Sequence, residues 1–234
     1  MKLNKKVVLS IVCAVLMVAT SVLGTIAYLT SQKSITNTFT VGNVEITLDE
    51  TDVDENGEPV IDPDTQNPIR TEEGNEYHLI PGERFIKDPT ITVLAGSEES
   101  YVRMIMKVYN ASAVDAIIAN PVHGLTDYAD LFDGWDETKW LYEGFEKDDT
   151  NDIISFEFRY FEKVDGFDDE EKANDIVLEP LFTELVAPGT LTNEELDTLY
   201  GDAGDFKIDV EGHAIQTAGF NTEDEAWAAF TPKA

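Results

Sequence analysis

Cysteine is all but absent: Cys13 is the only one in 234 residues. A single thiol closes no disulfide within the chain and builds no cysteine-rich metal site. Histidine is nearly as scarce. His78, His123 and His213 stand far apart, and none belongs to the H-E-x-x-H pattern that sets two imidazoles and a carboxylate base on one helical face. Basic side chains are few, 16 against 47 acidic ones, for a formal charge of −31. That balance argues against nucleic acid and anionic lipid as partners, because both need Lys and Arg against phosphate. The chain also lacks a P-loop, a G-x-G-x-x-G turn and a G-x-S-x-G elbow, the local signatures of phosphate, dinucleotide and hydrolase sites.

Long apolar runs are missing too, with one exception. Val7 to Leu23 is nearly unbroken, follows Lys2, Lys5 and Lys6, and ends in Gly24-Thr25-Ile26-Ala27. A basic start, an apolar middle and a small-residue end make a secretory signal peptide. Residues 1–27 are expected to be removed, with the cut between Ala27 and Tyr28. The alternative is an uncleaved anchor, since about 17 apolar residues lie at the lower edge of a bilayer span. Either way the rest of the chain is expected outside the cell, secreted into an extracellular matrix or held at the cell surface.

Cys13 leaves with the signal. The remaining 207 residues keep 13 of the 16 basic side chains against all 47 acids, a charge of −34. That length suits one domain with a core large enough to dispense with disulfides. Hydrophobic residues at 42% and aromatics at 10% are too abundant for a disordered acidic tail. The charge favours solubility and cation binding. It also opposes self-association, and salt weakens that opposition by screening.

Strand periodicity dominates the mature chain. Phe39 and Val41, then Val44, Ile46 and Leu48, alternate with polar residues, and Gly42-Asn43 shifts the phase by one, as a bulge or turn does. Residues 49–76 form an acidic stretch with Asn56-Gly57, Pro59, Pro63 and Pro68, read as a long surface hairpin or insertion. Pro81-Gly82 marks a turn, and Ile91 and Val93 begin a strand. In Tyr101–Val108 the residues Val102, Met104, Met106 and Val108 share one face. Short helices are expected at 114–118 and 128–132, and strands at 139–145 and 153–164 around an acidic turn. Residues 176–186 read as one extended stretch that Pro180 confines to an edge or bulge. Thr192 with Glu195, and Thr222 with Glu225, predict two capped short helices. Phe206 to Ile215 is the last strand. The fold class is mainly β: an antiparallel jelly-roll-like sandwich with short helices in the connections. Residues 28–48 hold the first strands, and 49–234 form a single domain.

Candidate metal chemistry is confined to acidic turns. Asp52, Asp54, Asn56 and Gly57 resemble the front half of a calcium loop, with oxygens at alternate positions and a glycine at the sharp turn. The bidentate Glu expected at position twelve is replaced by Pro63, and no helices flank the loop. Asp148, Asp149 and Asp152 form a second acidic turn. Both read first as solvated turns, with a weak calcium site at Asp52, Asp54 and Asn56 as the alternative.

The block Gly24-Thr25-Ile26-Ala27-Tyr28-Leu29-Thr30, followed by residues 37–44 (NTFTVGNV), resembles the TasA/camelysin (CalY) family of Gram-positive bacteria. Weaker matches occur in order: Pro81-Gly82-Glu83, Lys87-Asp88-Pro89, Tyr101-Val102-Arg103, Pro180-Leu181-Phe182-Thr183 with Pro188-Gly189, Ala214-Ile215-Gln216 with Gly219-Phe220, and Ala226-Trp227. The resemblance implies export with a SipW-type signal peptidase as processing partner. It also implies a jelly-roll domain that polymerises into biofilm-matrix fibres, in some cases with an accessory fibre-nucleating protein. Family fibres join by donor-strand exchange, in which the mature N-terminus of one subunit completes a sheet of the next. On this chain that segment is Tyr28 to Thr40 with its neighbour Val41, and Tyr28, Leu29, Ile35, Phe39 and Val41 are its apolar anchors. It is rich in Ser and Thr and free of acids, so it docks without importing repulsion. The competing reading is an ordinary first strand in its own sheet.

Three functions are therefore weighed. The first is a non-enzymatic structural protein that forms homopolymeric fibres and needs no cofactor. The second is a monomeric exported module binding calcium, a cell-wall ligand or a protein. The third is a camelysin-type metalloprotease, an activity some family members are named for but for which this chain shows no zinc motif.

Overall fold

A computed structural model describes residues 43–54, 56–166, 174–201 and 206–231. The signal segment, the cleavage site Ala27/Tyr28 and the anchors Tyr28, Leu29, Ile35, Phe39 and Val41 lie outside the described residues. Within them the chain is mainly β, arranged as an antiparallel sandwich with short helices in its connections.

One layer is a four-stranded sheet. Its centre is β5 (Ser100–Tyr109), flanked by β11 (Ile208–Gln216) and by β8 (Ile153–Tyr160), with β7 (Trp140–Asp148) at the far edge. Strict alternation drives β5 and β8 together. Val102, Met104, Met106 and Val108 are buried on β5, and Ile154, Phe156, Phe158 and Tyr160 on β8. Antiparallel register sets Met104 opposite Phe158 and Met106 opposite Phe156, so the large side chains meet across the ladder.

The opposing layer is divided. β1 (Ile46–Thr51) lies between β2 (Arg70–Thr71) and β4 (Thr90–Val93), with β9 (Ile176–Val177) beyond β4. β10 (Glu184–Val186) lies between β3 (Arg84–Ile86) and β6 (Phe132–Asp133). The division has one cause. β3 and β4 are separated only by Lys87-Asp88-Pro89, and β9 and β10 only by residues 178–183, including Pro180. The two segments still run side by side: Lys87 N–H donates to Thr183 O at 3.1 Å and Leu181 N–H to Pro89 O at 3.0 Å. Proline supplies no donor to a ladder, so this antiparallel ribbon bends where Pro89 and Pro180 fall. The expected single stretch over 176–186 is thereby two strands in two sheets.

The layers approach closely at Gly212 on β11. A Cβ there would sit 3.0 Å from Ile91 Cδ1, so glycine permits that spacing. One core holds Phe85, Ile91, Met104, Trp140, Phe158 and Leu181, with contributions from both parts of the divided layer.

Helix α1 (Ala111–Ala119) and a 3-10 turn at Tyr128–Leu131 connect β5 to β6, matching the two expected short helices. Helix α2 (Asn193–Tyr200) carries the full capping box of Thr192 and Glu195. Helix α3 (Glu223–Ala229) has only half of its predicted box. Thr222 accepts from Glu225 N–H, but the Glu225 carboxylate takes the Asn221 backbone and side-chain amides at 2.9 and 3.1 Å.

The acidic insertion is two stacked turns rather than one long hairpin. The first is closed by a Val53–Pro59 bridge and the second by an Ile61–Pro68 bridge. Each opens on an Asp that accepts backbone N–H groups from the turn it leads: Asp54 from Asn56 and Glu58, and Asp62 from Asp64 and Thr65.

Candidate functional site

The site with the most distinctive physics is an apolar groove of about 520 Å³ at the β7 edge. Its floor is the inward face of β7 and β8, with Tyr142, Phe145, Phe156 and Phe158. Its opposite wall is the 3-10 turn and β6, with Tyr128, Phe132 and Trp135. Rings hold this wall in place. Tyr128 packs on Phe156 at 4.9 Å, Trp135 meets Phe158 edge-on at 5.5 Å, and Phe132 packs on Phe182 at 4.6 Å.

Two structural facts leave the groove open. The facing layer ends in β6, which is only two residues long, so nothing among the described strands covers the outer part of β7. β7 is also the last strand of its sheet, and its outer edge has no partner among the described strands. Phe145 is 60% exposed and Tyr142 46% exposed, although both belong to the inward face.

A bulge explains that pairing of faces. The β7–β8 register slips between Tyr142 and Gly144, and Gly144 has φ of 139°. Tyr142 then opposes Phe158, and Phe145 opposes Phe156. Three positions apart, the two rings would fall on opposite faces of a regular strand. The extra residue returns both to one face.

An ion pair spans one end of the groove. Lys147 on β7 reaches Asp115 on α1 at 2.6 Å, and the Tyr128 hydroxyl donates to the same carboxylate at 2.9 Å. Burial alone would raise the Asp115 pKa, but the Lys147 and Tyr128 hydrogen bonds outweigh it and hold the carboxyl below its ordinary range. Burial, reinforced by Asp115, pushes the Tyr128 hydroxyl up.

The candidate calcium residues lie elsewhere, on the first stacked turn. The Asp54 carboxylate is occupied by N–H groups of its own turn, chiefly that of Asn56, and these depress its pKa. Asp52 serves the turn through its backbone, donating to Ile69 O and accepting from Val60 N–H, each at 2.9 Å. Asn56 contributes its N–H groups to Asp54. In the second acidic turn Asp148 binds Thr150 and Asn151. Asp152 instead holds the first turn of α1 through Ser112 N–H at 2.9 Å and its hydroxyl at 2.6 Å.

The histidines are distributed over the molecule. His78 is exposed. His123 is wedged between Glu195 Oε1 at 2.9 Å and Thr190 Oγ1 at 2.7 Å. His213 packs on Phe230 and takes an N–H from Arg103 at 3.2 Å. Among the described residues no three His, Cys, Asp or Glu side chains converge as a metal-binding group.

The groove was not anticipated from the sequence. Its one local signal is Gly144 inside Trp140-Leu-Tyr-Glu-Gly-Phe145, which interrupts an otherwise aromatic strand.

In comparison with known proteins, residues 2–58 fit the family model described as camelysin metallo-endopeptidase, which bears out the TasA/camelysin resemblance over that stretch. No curated protein and no solved structure matches the chain.

Proposed function

We propose, for a chain whose residues 2–58 carry the TasA/camelysin signature, a structural role outside the cell: subunits join head to tail when the mature N-terminal segment of one fills the β7 groove of the next. The carrying observation is the open aromatic groove beside a strand edge that has no partner among the described strands. An extended segment added there gains a backbone ladder and side-chain pockets together.

The segment suits the groove. Leu29, Ile35, Phe39 and Val41 are all odd-numbered, so they share one face of an extended strand. Fourteen residues from Tyr28 to Val41 reach about 45 Å when extended, longer than the nine-residue β7 at about 30 Å. The segment holds Lys33 and no acid, whereas the groove rim holds Asp115 and Asp127 beside its single Lys147.

β1 starts beside β11, where Ile46 lies under Gly212. β11 and β7 are opposite edges of the large sheet. A segment of one copy held in the groove of the next makes a head-to-tail contact that does not close, and repetition of such a contact gives a filament.

This reading assigns no catalytic residue and no cofactor. Calcium at the Asp52–Asn56 turn stays a separate proposal, tested by titration. Negative-stain electron microscopy of Tyr28–Ala234 beside a version starting at Val41 tests the assembly. Filaments from the first and none from the second are expected. Globular particles from both would overturn the reading in favour of a monomeric module.

A further inference from the structure

The bend at Lys87-Asp88-Pro89 carries a second piece of chemistry. Lys87 and Glu50 are both buried, with 8% and 6% of their surface exposed. Lys87 Nζ lies 2.7 Å from Glu50 Oε2. The other carboxylate oxygen, Oε1, accepts the Asn75 side-chain amide at 2.9 Å and the Asn75 backbone N–H at 3.1 Å. One carboxylate therefore holds a lysine amine on one oxygen and an asparagine amide on the other. The Asn75 carbonyl oxygen is in turn held by the Val53 backbone N–H at 3.0 Å. The Tyr77 ring lies beside Lys87 at 5.9 Å, and its hydroxyl is tied to Ile86 O at 2.7 Å. The neighbouring acid, Asp88, is engaged by Thr51 and Arg70.

We propose that Lys87 and Asn75 form an intramolecular isopeptide bond, with Glu50 as the proton carrier. The parts have the needed roles: an amine and an amide held on the two oxygens of one carboxylate, a backbone donor on the amide carbonyl oxygen, and a base touching both reacting groups. Lys87 Nζ gives a proton to Glu50 and, as the free amine, attacks Cγ of Asn75. Negative charge gathers on Oδ1, where the Val53 N–H meets it. Glu50 delivers the proton to Nδ2, which it already touches. The Cγ–Nδ2 bond breaks as the Nζ–Cγ bond is completed. Two of the three Nζ protons end on the departing nitrogen, which leaves as ammonium, and Glu50 returns to its starting state. No oxidant, metal or cofactor is consumed. Glu50 and Lys87 are buried and Asn75 half-buried, which limits the water that competes with the amine.

The product would tie the segment following the stacked turns to the bend of the β3–β4 ribbon. The two cross-linked residues lie on consecutive tryptic peptides, 71–84 and 85–103 once Lys87 is blocked. The test is a tryptic digest of the folded full chain, read by mass spectrometry after extended incubation at neutral pH. The expected result is one branched species, 71–84 joined to 85–103, lighter than the sum of its parts by one ammonia. Glu50→Gln and Asn75→Ala should return linear peptides, with cleavage after Lys87. Recovery of linear 71–84 and of 85–87 from the native chain would overturn the proposal, whether or not either variant folds.

Discussion

Replacing Tyr142 and Phe145 together by serine separates the two jobs of β7. Both rings face the groove, and Phe145 keeps 60% and Tyr142 46% of its surface exposed. Burying a Phe side chain completely gains about 1.5–3 kcal/mol. The exposed part of Phe145 therefore leaves about 1–2 kcal/mol to be gained by whatever covers it, and Tyr142 about 1 kcal/mol more. In the proposed assembly, subunit association should weaken by about 2–3 kcal/mol in all, a factor of about 30–150 in dissociation constant. The folded domain loses only the parts already buried, about 2 kcal/mol, which a domain of ordinary stability survives. The critical concentration for polymer formation, read by sedimentation of Tyr28–Ala234 and its double variant, gives the first number. A thermal melt of the same samples gives the second. A large rise in critical concentration with a small shift of the melt is expected. An unchanged critical concentration in a folded variant would refute the assignment of the groove as the acceptor.

Three further outcomes are expected. Gly134 has φ of +81°, and a Cβ there would meet Thr183 Oγ1 at 2.2 Å, so Gly134→Ala should cost about 2–4 kcal/mol and lower the melting temperature by roughly 4–15 °C. Glu195 is held at about 2 against an ordinary 4.5, first by the Thr192 backbone N–H and next by His123. A depressed carboxylate adds stability above its unfolded pKa and loses it as pH falls through its folded one. Denaturant titrations between pH 5 and about 2 should therefore show a shallower acid slope for Glu195→Gln than for the native chain. Lowering pH from 7 towards the sequence pI of about 4.1 should raise light scattering by Tyr28–Ala234, because neutralised surface carboxylates stop repelling. Asp115 stays ionised further into that range, so its pair with Lys147 survives while the surrounding charge falls. A flat scattering trace would show that charge does not limit assembly.

The sequence made some of this legible for clear reasons. β5 and β8 alternate without interruption and are buried on one face only, which is the strongest periodic signal a strand can give. Thr192 and Glu195 announced α2 because a capping box is local chemistry. The groove was hidden because an apolar residue facing an empty position reads like one facing a core. Tyr142 and Phe145 also look like opposite faces until the bulge at Gly144 is known. The Lys87–Glu50–Asn75 contact was hidden because it joins three polar residues from β1, a loop and a bend, with no spacing rule to connect them. Asp52, Asp54 and Asn56 matched a loop pattern, and in the folded turn the Asp54 carboxylate accepts the Asn56 and Glu58 N–H groups.

The bulge in β7 also bears on the dimensions of growth. A flat, regular edge would template one strand after another and spread sideways into a sheet. At Glu143-Gly144 the hydrogen-bonding rhythm of β7 is broken and the strand is bent. Its edge offers a short run on either side of the break rather than a continuous template. A single inserted strand that also fills the groove has good reason to stop there, and a second layer has none to follow. In the proposed assembly, growth is then confined to the one axis along which segment and groove repeat, so the length of the polymer would vary while its width is set by the fold.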